Sequence, residues 1–165
     1  MHNSDSSLAP LLFSNGPASD RAEKMGLYGW LIGDWTMEAV MHAPDGRTHE
    51  RSGEISFAWV LEGRAIQDVW ILPDFFYGTT LRVYDPGMDA WHILWSDPLR
   101  QFYGRQTGRA HGADVVQLGK SDDGNDTRWS FTDITPNSFR WLGEFSTDGG
   151  TAWQLRAEFK CRRKS

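Results

Sequence analysis

The chain has 165 residues, a formal net charge of -5 and a pI of about 5.5. This length is sufficient for one domain with a sizeable core, and the acidic balance excludes the basic surface that nucleic-acid binding requires. The single cysteine, Cys161, excludes a disulfide framework and a cysteine-based metal site.

The first segment of the chain is polar and rich in Ser, and we predict that residues 1–16 are disordered. This segment lacks the basic start and the long apolar stretch of a secretory signal. No apolar run in the sequence is long enough to span a membrane. We therefore expect a cytoplasmic protein without a membrane span, and we assign residues 17–165 to a single domain.

A short helix is predicted after the polar segment. Ser19 or Asp20 offers an N-cap, and Glu23 is placed to complete a capping box if Asp20 takes the role of the usual Ser or Thr. Apolar residues then recur at helical spacing, namely Met25, Tyr28, Leu31 and Ile32. We expect this helix to end near Gly33.

From Trp35 onward, apolar and polar residues alternate, which predicts β-strands joined by turns such as Asp148-Gly149-Gly150. Many short strands at regular spacing favour an all-β, antiparallel up-and-down barrel of about ten strands, because closure leaves no exposed strand edges. A two-sheet sandwich is the alternative fold. The predicted strands cover residues 34–42, 49–60, 64–72, 78–84, 90–96, 101–108, 113–120, 128–134, 138–146 and 153–163.

Counting by twos along the predicted strands assigns side chains to faces. In the last strand it places Arg163 on the inward face, together with Trp153 and Cys161. An inward Arg is costly unless it is paired or stacked, and the ring of Trp35 offers a cation–π partner. We therefore predict that Trp35 and Arg163 form a structural pair. The same counting in the eighth strand places on one face Trp129, Phe131 and Asp133.

Several phrases of the sequence resemble a known family. Gly33-Asp34-Trp35 is the entry signature of the calycin barrels, and further matching phrases are Leu61-Glu62-Gly63-Arg64-Ala65, the run 77–86, Trp91-His92-Ile93 and the run 146–150. Together they resemble a bacterial family of small lipocalin-like domains of unknown function, over about residues 25–163. The resemblance extends distantly to fatty-acid-binding proteins and nitrobindin-type barrels. It implies a barrel with Trp35 in its floor, an Arg across that ring and a helix at one mouth.

The resemblance does not extend to haem binding. Nitrobindin-like proteins ligate haem iron through a His late in the chain, whereas the last histidine here is His111. The other histidines are scattered and lack the spacing of a metal pair. We expect no cofactor and no metal.

The candidate site combines aromatic walls with a few polar residues, the usual composition of a small-molecule pocket. Asp68 alternates with apolar residues of its strand and is predicted to point inward. Arg82 and Tyr84 share one face of the fourth strand, Tyr103 and Arg105 share one face of the sixth, and the sequence does not decide which faces are inside. The predicted walls are Trp59, Trp70, Trp95, Trp129 and Trp141.

Three functions remain open at this point. The first is binding of a small hydrophobic or aromatic ligand, with Asp68, Arg82, Tyr84 and Tyr103 as polar contacts. The second is a cofactor-independent isomerase, cyclase or hydratase, with Asp68 as general acid or base and Arg82 or Tyr84 steadying an enolate-like oxygen. The third is a structural or interaction barrel with a filled core. The sequence also leaves open whether the protein is a monomer or a homodimer.

Overall fold

Ten antiparallel strands close into one barrel in the computed structural model, which describes residues 6–165. Two short helices precede them, α1 (Leu8–Leu12) and α2 (Ala22–Gly29). The strands are β1 (Gly33–His42), β2 (Thr48–Val60), β3 (Ala65–Leu72), β4 (Phe76–Asp85), β5 (Ala90–Asp97), β6 (Phe102–His111), β7 (Asp114–Lys120), β8 (Asp126–Thr135), β9 (Ser138–Ser146) and β10 (Gln154–Arg163).

Each strand pairs with its neighbours in the sequence, and β1 pairs with β10 to close the barrel. The closing register places Trp35 opposite Arg163. Since every strand then has two neighbours, no backbone edge is left open to solvent. The predicted all-β up-and-down barrel with a short helix near its start is confirmed.

The floor of the barrel is the Trp35–Arg163 pair. Trp35 is fully buried, and its indole N–H donates to the carbonyl of Leu31 at 2.7 Å. The Arg163 guanidinium lies 4.2 Å from the Trp35 ring centre and donates to the carbonyl oxygens of Trp30 and Ile32, each at 2.7 Å. These contacts give the half-buried cation its partners, and they confirm the predicted pairing.

Helix α2 covers the mouth of the barrel next to this floor. Tyr28 is fully buried and meets the ring of Trp91 edge-on, with 4.9 Å between ring centres. The predicted capping box is wrong, because the N-cap residue is Arg21 and it makes no side-chain cap hydrogen bond. The helix is held by its contacts with the barrel rather than by a cap. We call this end the α2 mouth and the opposite end the far mouth.

The segment before α2 is tied to the barrel. Helix α1 lies within the range 1–16, where the sequence predicts disorder, and the next residue, Phe13, forms an isolated bridge with Val60. The Ser14 N–H donates to the carbonyl of Trp59 at 2.9 Å. Residues 1–5 of the predicted disordered segment lie outside the described residues. Neither helix of the described chain has the length and apolar character needed to cross a bilayer.

Two β-bulges shift side chains away from the faces that simple alternation predicts. In β8 the register shifts between Thr132 and Thr135, and Asp133 has a φ of 49°. Asp133 is therefore exposed and pairs with Arg140 at 3.1 Å, so the prediction that it shares a face with Phe131 is wrong. In β10 the register with β9 shifts between Leu155 and Ala157.

Candidate functional site

A buried ion pair lies inside the barrel on β3 and β4. Asp68 and Arg82 are each 1% exposed, and Arg82 Nη1 donates to Asp68 Oδ2. The second carboxylate oxygen, Oδ1, accepts the backbone N–H of Thr80 at 2.7 Å. The structure thus places the face of β4 that carries Arg82 inward, a choice that the sequence leaves open.

The ion pair continues into a row of polar side chains. Gln117 Oε1 accepts the hydroxyl of Tyr28 at 3.1 Å and a long hydrogen bond of 3.5 Å from Arg82 Nε. Gln117 Nε2 in turn donates to Gln106 Oε1 at 2.9 Å. We call Asp68, Arg82, Gln117 and Gln106 the polar row. It connects β3, β4, β7 and β6 through the barrel interior.

Aromatic rings surround the charge of Arg82. Its guanidinium carbon lies 5.5 Å from the ring centre of Tyr28, 5.7 Å from Phe57 and 5.8 Å from Phe131. Ring faces attract a cation, and this attraction strengthens when water is removed. The arginine is therefore stabilised by one carboxylate and by aromatic faces, so its buried charge is compensated.

Between the polar row and the far mouth lies a group of mutually packed rings, which we call the aromatic cluster. Trp129 stacks on Trp141 with 5.3 Å between centres, and Trp70 lies 6.0 Å from Trp141 and 5.9 Å from Phe159. Phe76 bridges Phe159 and Trp95 at 6.3 and 6.0 Å. The cluster includes four of the five predicted walls. Its members are Trp70, Phe76, Trp95, Trp129, Trp141 and Phe159.

Three predicted site residues lie elsewhere. Trp59 packs at the α2 mouth, where its ring lies 3.0 Å from the position that a Cβ on Gly29 would take. Tyr84 is buried near the same mouth and donates to Asp89 Oδ1 at 2.7 Å, a hydrogen bond that raises the pKa of its hydroxyl. Tyr103 is 54% exposed on the outer face of β6 and donates to Gln101 at 2.9 Å. The structure does not bring these residues together with the aromatic cluster.

An open cleft of about 420 Å³ lies beside α2. Trp91 and Tyr84 contribute its apolar part, and Lys24, Asp89 and Arg109 contribute charges. Lys24 and Asp89 form an ion pair at 2.9 Å, and this hydrogen bond is the main reason that the pKa of Asp89 is lowered. A smaller cleft of about 280 Å³ is lined by Gly53, Ile71 and nearby residues.

At the far mouth, the turn between β3 and β4 carries Phe75. The guanidinium carbons of Arg100 and Arg51 lie 4.4 and 5.4 Å from its ring centre. Among the described residues, neither arginine has a carboxylate within ion-pair distance. Phe75 also lies 5.8 Å from Phe76, which joins this turn to the aromatic cluster.

Sequence reasoning missed the two glutamines of the polar row. Gln117 shares its strand face with Val115, so alternation does indicate that it points inward. Its partner Tyr28 lies 89 residues away, and no local pattern marks such a contact. Within residues 6–165, no group of three or more His, Cys, Asp or Glu side chains is placed to hold a metal ion. Burial raises the pKa of the Cys161 thiol.

Two solved structures share this fold. The chain is similar to Rv2717c from M. tuberculosis, with a TM-score of 0.57, 14% identity, and coverage of 87% of this chain and 99% of that one. It is also similar to the S-type phycobiliprotein lyase CPES from Guillardia theta, with a TM-score of 0.58, 14% identity, and coverage of 90% and 99%.

Both neighbours are ten-stranded barrels of the calycin type. At this level of identity the similarity shows the fold alone. No protein-family model matches the chain, and no curated protein matches it in sequence.

Proposed function

We propose that this protein binds a small, partly hydrophobic molecule inside the barrel, between the polar row and the far mouth. The observation that carries the proposal is the position of the aromatic cluster next to a buried polar row. Small-molecule sites are mostly apolar and aromatic, with a few placed polar groups that fix orientation. Here Trp70 and Trp141 are buried walls, while Trp95 and Trp129 are partly buried.

The geometry favours binding over the cofactor-independent enzyme. Both oxygens of Asp68 are already occupied, one by Arg82 and one by the backbone N–H of Thr80. A general base needs an oxygen within reach of the proton that it abstracts. Asp68 is therefore better suited to act as a fixed anchor for the interior than as a proton acceptor.

Access to this site runs through the far mouth. Two partly buried rings lie there at the turn between β3 and β4, namely Phe76, which belongs to the cluster, and Phe75, which packs on Phe76. A ligand that enters the cluster must displace them, so we expect binding to be accompanied by movement of this turn. The guanidinium groups of Arg51 and Arg100 lie against the Phe75 ring. These contacts would break when the turn moves.

The phrases around Gly33-Asp34-Trp35 support membership of the bacterial lipocalin-like family, which we propose on sequence alone.

One of the structural neighbours is a phycobiliprotein lyase by its title. From this title we take only that a barrel of this shape can have a function other than a structural one. It does not indicate the ligand of this chain.

Tryptophan fluorescence tests the proposal directly, because the rings of the cluster would contact the ligand. We expect saturable quenching by at least one member of a panel of fatty acids, flat aromatic molecules and polyketide-like molecules. Trp129→Phe should weaken the binding of that member, and the matched control Tyr103→Phe, on the outer face, should not. Absence of saturable quenching across the whole panel would contradict the proposal.

A further inference from the structure

The open cleft at the α2 mouth has the size and the lining of a ligand site. Its volume of about 420 Å³ falls within the range of small-molecule sites. Leu27 of α2 and two buried rings, Tyr84 and Trp91, give it an apolar wall. Gly108 and Ala110 of β6 also line it. The cleft is therefore large enough for a small ligand and offers that ligand apolar contacts.

The cleft stays open because β6 carries small side chains here. A Cβ on Gly108 would collide with the hydroxyl of Tyr28, by which α2 packs onto the barrel. Ala110 is the next residue on the same face of the strand, and it has only a methyl group. A larger side chain at Ala110 would fill part of the cleft.

The charges that line the cleft leave one cation without a partner. Lys24 pairs with Asp89 at 2.9 Å, and Asp89 and, more weakly, Glu23 raise the pKa of Lys24. Both carboxylates of the lining therefore act on the same ammonium group. Arg109 also lines the cleft, and within the described part of the chain no carboxylate lies within ion-pair distance of its guanidinium. The hydrogen bond from Lys24 and, more weakly, the charge of Arg109 lower the pKa of Asp89, so this guanidinium lies near the polar end of the cleft.

We propose that this cleft binds a small amphipathic carboxylate, whose charge pairs with Arg109 and whose apolar part lies against Tyr84 and Trp91. The planar guanidinium of Arg matches the two oxygens of a carboxylate. One free guanidinium compensates one negative charge, which a carboxylate carries and a phosphate monoester exceeds. A cationic ligand has less to gain, because Asp89 already accepts from Lys24 and Tyr84.

This site is distinct from the one proposed inside the barrel. The polar row lies between them, since Gln117 accepts the hydroxyl of Tyr28 beneath α2 and the aromatic cluster extends from the row to the far mouth. The inference therefore does not depend on the interior ligand, and different variants test the two sites.

Octanoate and octanamide test the proposed charge contact. They have the same apolar chain, and at pH 7 only octanoate is charged. An exposed ion pair corresponds to a gain in affinity of at most about fivefold. We expect octanoate to bind about threefold to fivefold more tightly at low salt, as measured by NMR titration of the backbone amides of Gly108 and Ala110. At about 1 M salt, which screens exposed charges, the preference should fall below about twofold.

Substitution of the guanidinium should remove the preference for octanoate. Arg109→Gln should bring the affinity for octanoate to within about twofold of that for octanamide, whose own affinity should stay nearly unchanged. The matched control is Arg105→Gln, because Arg105 is also exposed on β6 and lies against His92 outside the cleft. This control should keep the preference. A preference that survives in Arg109→Gln, or that both variants lose equally, would overturn the proposal.

A filling variant tests the position of the apolar part. Ala110→Leu should weaken the binding of both probes by about fivefold or more, because its side chain takes their apolar contacts. Trp129→Phe, in the aromatic cluster, should affect neither probe. If octanoate shifts no amide signal of the cleft, or if Trp129→Phe weakens its binding and Arg109→Gln does not, the carboxylate does not bind here. The latter result would leave the function proposed for the barrel interior intact.

Discussion

The guanidinium of Arg163 lies 4.2 Å from the ring centre of Trp35, across the two strands that close the barrel. The same group donates to two carbonyl oxygens in the segment between α2 and β1, at Trp30 and Ile32. One side chain therefore joins the first strand, the last strand and the segment that follows the helix. This contact supports the fold and lies at the opposite end from the aromatic cluster.

Removal of either partner should destabilise the protein. We expect Trp35→Ala to lower the free energy of unfolding by about 3–5 kcal/mol, as for other truncated core aromatics. Arg163→Ala should also destabilise, because the Trp30 and Ile32 carbonyls lose their donor. The adjacent Arg162, which is exposed, is the control, and Arg162→Ala should change stability by less than about 0.5 kcal/mol. Urea unfolding measures all three, and equal effects of the two Arg substitutions would contradict the observed register.

The Asp68–Arg82 pair should show strong coupling. Asp68→Asn leaves a buried guanidinium without a counter-ion, and we expect a loss of about 3–5 kcal/mol together with weaker binding of the panel member that quenches the tryptophan fluorescence. The double variant Asp68→Asn with Arg82→Met removes both charges and should be more stable than Asp68→Asn alone.

The surface carboxylate Asp133 provides the control for this pair. It forms an ion pair with Arg140 on the outside of the barrel. Asp133→Asn should cost less than about 1 kcal/mol and leave binding unchanged. Additive losses in the Asp68 and Arg82 double variant, measured by thermal unfolding, would show that the two residues do not act as a pair.

Glycines make room for the indoles of the aromatic cluster. A Cβ on Gly143 would lie 2.4 Å from the ring of Trp129. Gly143→Ala should therefore destabilise by about 1–3 kcal/mol and disturb the stacking of Trp129 on Trp141. In α2, a Cβ on Gly26 would meet nothing within 4 Å, and Gly26→Ala should stabilise by up to about 1 kcal/mol. Urea unfolding should give opposite signs for the two changes, and equal signs would contradict this account.

Stability should decline in mild alkali because of Cys161. Burial raises the pKa of its thiol in the folded protein, whereas the thiol of the unfolded chain ionises near pH 8.5. Above about pH 8.5 the unfolded state therefore loses a proton that the folded state keeps, and this ionisation favours unfolding. The free energy of unfolding is fully retained below about pH 8.5 and decreases as the pH rises. We expect a slope of about 1.4 kcal/mol per pH unit between pH 8.5 and 10.

The variant Cys161→Ala lacks this titration and should have a flat stability profile over the same range. Tyr28, whose pKa burial also raises, contributes a further decline only above about pH 10. Urea unfolding at a series of pH values measures both profiles. Parallel profiles for the two proteins would show that the thiol is not responsible.

The fold could be predicted because alternation and turns are local properties of the sequence. The predicted ninth strand, 138–146, coincides with β9, and the inward positions of Trp35 and Asp68 follow from counting by twos. Local rules fail where the strand itself is irregular. Asp133 leaves the predicted face because of a bulge, and no sequence pattern marks that bulge.

The candidate site was less predictable because its contacts cross the barrel. Both faces of β4 contain apolar residues, so only the pairing of Arg82 with Asp68 decides which face is inside. Tyr103 shares the aromatic character of the predicted walls but faces solvent. The glutamines of the polar row are neutral and make long-range contacts, which composition and spacing do not reveal.

Closure by β1 and β10 also has a consequence during synthesis of the chain. Arg163 and its acceptor Ile32 are separated by 131 residues. Trp35 therefore leaves the ribosome well before Arg163, the residue that covers its ring. Pairings of such high contact order form slowly. Until β10 arrives, β1 and β9 each present an unpaired edge to other nascent chains, which is a template for intermolecular strand addition. A message truncated before β10 should therefore yield aggregates in the cell, whereas a chain that includes β10 pairs both edges.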